Sequence, residues 1–394
     1  SSLVGSEMCI RDSNGAVNIM AQREDAQNIA VAIGGEGGAT FAGGASVATN
    51  TVTHTTDAHV SGGTQISGYG DVTVEASEGS PVIVAAAGNF DVSNKGVAIG
   101  AAVPTNTITR NLTAYVGDQD QADFDTGADG AGLSSSAGGV RVAATRNNSL
   151  VLAIGVSGVG AETFSFGGSV VESNIKSSTV DAHVWGGSLD GSGGVSVEAE
   201  DTDASNVAFA GNVDLSLLFS TLDENGNANA GGQNAVGNAQ AAQQNVAPAQ
   251  AANPRNFKDI TGLKAGYYAL KNNLPVGLEG SEDVTVPPTL ESTEAASVGL
   301  ALANNLASRD TRPTVTAFAQ DAALSSDAGS IQVTADQTIL LVTVAGSGSL
   351  SDSTVSIDGT EATTIYRPET TAYIDASDGG RASVVAAGNV IVSA

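Results

Sequence analysis

One phrase returns along this chain and dictates what it can fold into. It is a short V/I-x-V/I-x-A segment, followed by an Ala/Gly-rich apolar run and a longer Thr/Asn-rich segment that closes on Ala-aromatic-Val. The opening appears at Val17–Ala21, Val72–Ala76, Val140–Ala144, Val195–Ala199 and Ile331–Ala335, with a sixth copy at Val390–Ala394. The steps between openings are 55, 68, 55, 136 and 59 residues, so only the fourth is out of line, and it holds a stretch of different composition from about 220 to 294. Self-similarity at such a period belongs to solenoids, whose units bury their apolar faces only against one another.

The second half of the phrase holds its register closely. Val47-x-x-Asn50 leads to Ala58-His59-Val60, Val103-x-x-Asn106 to Ala114-Tyr115-Val116, and Val171-x-x-Asn174 to Ala182-His183-Val184. Looser versions end at Ala317-Phe318-Ala319 and Ala372-Tyr373-Ile374. Alternation with a period of two marks strands with one buried face, and pairs such as Gly43-Gly44, Gly62-Gly63, Gly138-Gly139 and Gly193-Gly194 mark turns between them. Nothing in the repeats reads as a helix. With 49 glycines and only 4% aromatics, the core is one of small and β-branched side chains.

The fold expected is all-β, a right-handed parallel β-helix (β-solenoid) with one large loop or small-lobe insertion. At about 20 to 30 residues per coil, each repeat would make two coils. Equivalent asparagines would then lie two coils apart, with local turn or cap roles rather than a shared ladder. The segments expected are 1–13, 14–219 as solenoid, 220–294 as insertion, and 295–394 as solenoid cut within its last repeat. Residues 1–13 are set apart because Leu3–Asp12 resembles the in-frame translation of a transposase adapter used in sequencing libraries. With that segment set aside, the only cysteine, Cys9, goes too, leaving no disulfide or Cys-based metal site. The chain then reads as an interior slice of a longer solenoid, with the remainder of that chain among its partners.

A net charge of −27 opposes binding of nucleic acid or anionic lipid and discourages edge pairing. No apolar run reaches the eighteen or so residues of a membrane span. Within the insertion, Asp223–Asn256 is Asn/Ala/Gln/Gly-rich and reads as an extended loop. Phe257–Leu278 carries eight larger apolar residues and three lysines and reads as a small, partly helical lobe.

Candidate chemistry is sparse. His59 and His183 occupy the register that elsewhere holds Tyr115, Phe318 and Tyr373, a stacking or shielding position, with metal binding or catalysis as the competing role. His54 aligns with Arg110 and Ser178, which suggests simple exposure. The densest acidic stretch, Asp118, Asp120, Asp123, Asp125 and Asp129 followed by Gly130, offers the oxygen ligands that Ca²⁺ prefers. Its spacing fits neither the EF-hand nor the glycine-rich nonapeptide repeat, and a solvated acidic loop is the other reading. Thr49, Thr51, Thr53 and Thr105, Thr107, Thr109 form matched rows of the sort ice-binding solenoids use, interrupted at Ser173–Ser177 in the third repeat. No nucleophile elbow, Walker loop or H-E-x-x-H occurs.

The V-x-V-x-A openings, the run Gly96–Val103 and the strand ending Thr113–Val116 resemble the repetitive regions of large secreted bacterial adhesins of the filamentous-haemagglutinin and leukotoxin-like filamentous type. The resemblance covers about residues 14–220 and 293–394. It implies a rod-like β-helix, secreted or on the bacterial cell surface, that contacts host-cell or environmental glycans and proteins or neighbouring cells. It carries no catalytic residue and no cofactor other than the candidate Ca²⁺. The alternative class is a β-helix enzyme acting on polysaccharide, a lyase or hydrolase, which requires carboxylates from successive coils to converge in one groove.

Overall fold

The computed structural model describes residues 15–23, 27–93, 96–118, 130–161, 163–214, 296–307, 313–349, 355–377 and 380–394. Among these there is no helix. The first coil is β1 (Val17–Arg23), β2 (Gln27–Gly38), β3 (Phe41–Val60) and β4 (Gln65–Gly68). The second is β5 (Val72–Glu78), β6 (Val82–Ser93), β7 (Val97–Gly117) and β8 (Gly132–Ser135). The third is β9 (Gly139–Asn147), β10 (Leu150–Ala161), β11 (Phe164–Trp185) and β12 (Ser188–Gly191).

In the fourth coil the first two strands fuse into β13 (Gly194–Asp214), and the return divides into β14 (Ala296–Ala307) and β15 (Thr314–Gln320) before β16 (Ala323–Ser326). The fifth coil repeats that plan with β17 (Ile331–Ser349), β18 (Val355–Ile365), β19 (Glu369–Asp375) and β20 (Ser383–Ala386). Strand β21 (Val390–Ser393) opens a sixth.

Every strand pairs in parallel with its counterpart in the next coil, giving three sheets stacked along one axis, the arrangement of a parallel β-solenoid. All six sequence openings lie in one row, Val17 on Val72, Val72 on Val140, Val140 on Val195, Val195 on Ile331 and Ile331 on Val390. One repeat is therefore one coil, not two. The short-coil expectation fails because each turn carries an excursion: the chain runs out along β2, turns at Ala39 and Thr40, and returns along the first half of β3. These paired runs form a two-sheet wing beside a three-walled body.

The body core holds Val72, Val74 and Ala76 of β5 against Leu112, Ala114 and Val116 of β7 and Leu133 of β8. Each Val or Leu placed in such a row contributes about 1.5–3 kcal/mol of burial. The wing is thinner. Its sheets meet through alanines, with Ala85 and Ala87 on one wall and Ala48 and Ala102 on the other. Corners demand special backbone: Gly117 has φ 98°, and a Cβ there would sit 1.9 Å from the Trp185 carbonyl oxygen. The sequence reading of Asp223–Asn256 and of Phe257–Leu278 lies outside the described residues, as do residues 1–13.

Candidate functional site

Because one repeat is one coil, equivalent side chains stand on top of each other, and three kinds of axial row result. The first is aromatic. His59, Tyr115, His183, Phe318 and Tyr373 stack on the outside of the body with centroids 4.7, 5.1, 4.7 and 5.0 Å apart and planes within 8°. Strand spacing of about 4.8 Å leaves each ring in van der Waals contact with the next. Trp185 adds an edge contact to Phe318 at 5.9 Å.

Two residues before each histidine stands an aspartate on the same strand face. His59 Nδ1 lies 3.0 Å from Asp57 Oδ1, and His183 Nδ1 lies 2.5 Å from Asp181 Oδ1. The hydrogen bond from Asp57 raises the His59 pKa above its usual value, partial burial opposes this, and the Asp57 charge adds to the rise. The stacking role expected of His59 and His183 is the arrangement observed. Stacking occupies both faces of the three middle rings, Tyr115, His183 and Phe318.

The second row is ionic and internal. The residue six after each opening gives Arg23, Glu78, Arg146, Asp201 and Gln337, paired in that order from coil to coil. Facing them, His54, Arg110 and Ser178 form a row on the opposite wall. Arg146 is fully buried, its Nε donates to Glu78 Oε2 at 2.6 Å, its Nη1 donates to Ser178 Oγ at 2.8 Å, and Asp201 Oδ2 lies 3.6 Å from that nitrogen. His54 Nε2 is 2.7 Å from Glu78 Oε1.

Burial alone would raise the Glu78 pKa. The close contact with His54 and the charges of Arg146 and Arg110 outweigh it and bring the carboxyl from an ordinary 4.5 down to about 2. For Arg110, burial and the neighbouring Arg146 charge lower the guanidinium to about 10, against the pull of Glu78 and Asp201. It remains a cation at neutral pH. Arg110, Ser178, Asp201, Asn206 and Tyr366 line an internal gap of about 10 Å³, room for one water.

The sequence reading of His54, Arg110 and Ser178 as an exposed row is thus wrong. Thr53 and Thr55, Thr109 and Asn111, and Ser177 and Thr179 take the outward positions on either side of them, and these three point inward at the junction of wing and body. The ionic row was missed altogether, although its signal was present as an alternation of sign at a constant offset from the openings. Side chains this deeply enclosed cannot touch a polymeric substrate, so the cluster works as a fastening between coils.

The third row crosses the wing. Asn50 Nδ2 donates to Val84 O at 2.6 Å and lies 3.3 Å from Asn106 Oδ1, while Asn106 Nδ2 donates to Leu152 O at 2.9 Å. These asparagines touch, against the expectation that they could not. The third repeat departs from its sequence alignment. A register shift between Ile175 and Ser177 places Ser173, not Asn174, on Asn106, and Ser173 Oγ donates to Asn206 Oδ1 at 2.7 Å.

Of the acidic stretch, only Asp118 falls within the described residues; Asp120, Asp123, Asp125 and Asp129 lie outside them. Asp118 is buried, its N–H donates to Trp185 O at 2.9 Å, and its carbonyl oxygen is 3.2 Å from His183 Nε2. Its backbone is thereby joined to the aromatic row. Among the described residues no group of three or more His, Cys, Asp or Glu side chains is placed to hold a metal ion, and no helix is long and apolar enough to cross a membrane. The threonine rows pair as expected, Thr49 on Thr105, Thr51 on Thr107 and Thr53 on Thr109, and give way to Glu172, Asn174 and Ser177 in the third coil. Compared with family models, curated proteins and solved structures, the chain matches none.

Proposed function

We propose that the chain is a structural and adhesive stalk segment of a large secreted or cell-surface bacterial adhesin, whose work is reach and repeated contact. The observation that supports this reading is how its reactive groups are arranged. The buried Arg, Glu, Asp and His side chains are joined in rows from coil to coil, and the aromatic rings stack on one another. Such rows lengthen with every added coil, which is the economy of a rod. Its partners are host-cell or environmental glycans and proteins, or neighbouring cells, met by an extended outer surface.

The test incubates the purified chain, with Ca²⁺ present, with bacterial cells and a panel of bacterial, algal and plant polysaccharides. Retained protein and newly formed reducing or unsaturated ends are both measured. Retention without new chain ends, changed no more than a few-fold by His59→Ala or Asp57→Ala, is the expected outcome. Removing a general acid or base costs about 10² to 10⁴ in rate. Turnover that either substitution abolishes would replace the adhesin reading with the polysaccharide-active enzyme.

A further inference from the structure

The wing carries apolar side chains outside as well as inside. Its interior at the distal end is polar: Asn89 Nδ2 donates to Gly44 O at 3.0 Å, Asp91 accepts from Gly44 N at 3.0 Å and Glu36 N at 2.9 Å, and Ser157 Oγ donates to Asn212 Oδ1 at 2.7 Å. Its outer faces are apolar. On the side of β2, Val31, Ala86, Ile154, Phe209 and Val344 form one outward row. The adjacent outward row is Ile29, Val84, Leu152, Val207 and Val342. Leu152 and Val207 are buried within the face, while Val31 is 42% and Val344 44% exposed.

On the opposite side, Gly43, Ile99, Phe166, Val298 and Ile357 form a comparable row. Ile99 is 39% and Ile357 56% exposed. None of these outward rows carries a charge, in a chain of net charge −27.

Both faces are also flat. The Phe90 ring lies over Gly158, where an added Cβ would meet it at 2.6 Å, and the Phe209 ring lies over Gly211 at 3.3 Å. Phe41 covers Gly43 in the same way at 2.8 Å. Glycine at these three positions makes room for a neighbouring ring to lie against the sheet.

A flat, uncharged, apolar sheet with rows at strand spacing matches a second sheet of the same kind, and sheets pack face to face at about 10 Å. We propose that each face of the wing takes the same face of another copy of this chain. Charge selects this occupant. Two copies repel wherever their acidic surfaces meet, and these faces are where they can touch without bringing like charges together.

Five strands at about 4.8 Å and some six residues at about 3.3 Å give each face about 450 Å². That is below the roughly 800 Å² per partner of a stable interface. Each contact is therefore weak and reversible, and association continues beyond a pair because both faces are used. The inference concerns copies of the chain, and it stands or falls independently of any adhesive ligand.

The experiment is sedimentation velocity of the full chain over a wide concentration range. The weight-average mass of the wild type should rise past twice the 38.8 kDa monomer. Phe209→Lys, which charges one face, should stop association at dimers. Phe209→Lys combined with Phe166→Lys, which charges both, should leave monomers. Circular dichroism checks that the outward substitutions keep the strand content. Should a lysine variant fail to fold, Ala86→Cys in a Cys9→Ser background supplies the second measurement, with short bis-maleimide cross-linking expected to capture dimers.

A wild type that stays monomeric, or no cross-linked dimer, overturns the proposal. So does association unchanged in the double variant. Flotation with neutral phosphatidylcholine vesicles that the double variant loses would assign the faces to lipid instead. Association that appears only when residues 221–290 are replaced by a short Gly-Ser linker would assign them to that segment of the chain.

Discussion

Glu78 shows how much one residue holds. Its folded pKa of about 2 lies below the ordinary 4.5, so its contribution is fully present above pH 4.5 and is lost as the pH falls toward 2. The difference corresponds to about 3 kcal/mol. Urea midpoints followed across that window should fall steeply for the wild type. Glu78→Gln should flatten that part of the curve. At neutral pH the same substitution should destabilise by about 3 kcal/mol, because Arg146 loses the nearer of its two buried carboxylate partners. A parallel fall in the variant would show that other carboxylates drive the acid transition. The position was legible as a sign alternation six residues after each opening, but its partner was not. Nothing local in the sequence says that His54, on a strand of the preceding coil, turns inward to meet it.

At the scale of the element, the end of the long strand is a stack held by repetition. Tyr115 is buried between His59 and His183, with centroids 4.7 and 5.1 Å away. Tyr115→Ala should cost about 3 kcal/mol, the lower part of the range for deleting a buried aromatic ring, measured as a shift in the denaturant midpoint at unchanged m-value. A loss below about 0.5 kcal/mol would mean that the rings only line up and do not support one another. Strand register was readable wherever the phrase recurs without interruption, since Ala-aromatic-Val lands on itself in all five coils. It was misread at Asn174 because the extra residue near Lys176 is absorbed by an irregularity inside β11. Spacing to the following Ala182 conceals that slip.

For the whole molecule, charge and apolar area work against each other. Copies carrying −27 each repel, and that repulsion is screened as the Debye length shrinks from about 30 Å at 0.01 M salt to about 10 Å at 0.1 M. Self-association through the wing faces should therefore strengthen with added NaCl and again as the pH approaches the isoelectric point near 4.1. Light scattering at fixed protein concentration checks both trends. Association that weakens with salt would show that ion pairs hold the copies together and would count against the charge-free faces. The sequence by itself determined the strand class and the parallel stacking, because period-two strands that recur at a fixed spacing need no information beyond that period to stack on one another. Only the tertiary structure decided that each repeat is a single wide coil, that Asn50 reaches Asn106, and that the small and polar positions of the wing face inward while Val31, Ile154 and Phe209 face out. Alternation tells two faces of a strand apart, but which face is inner depends on what the opposite sheet brings to it. Here that sheet brings glycine and alanine, which leave room inside only for small side chains and their hydrogen bonds.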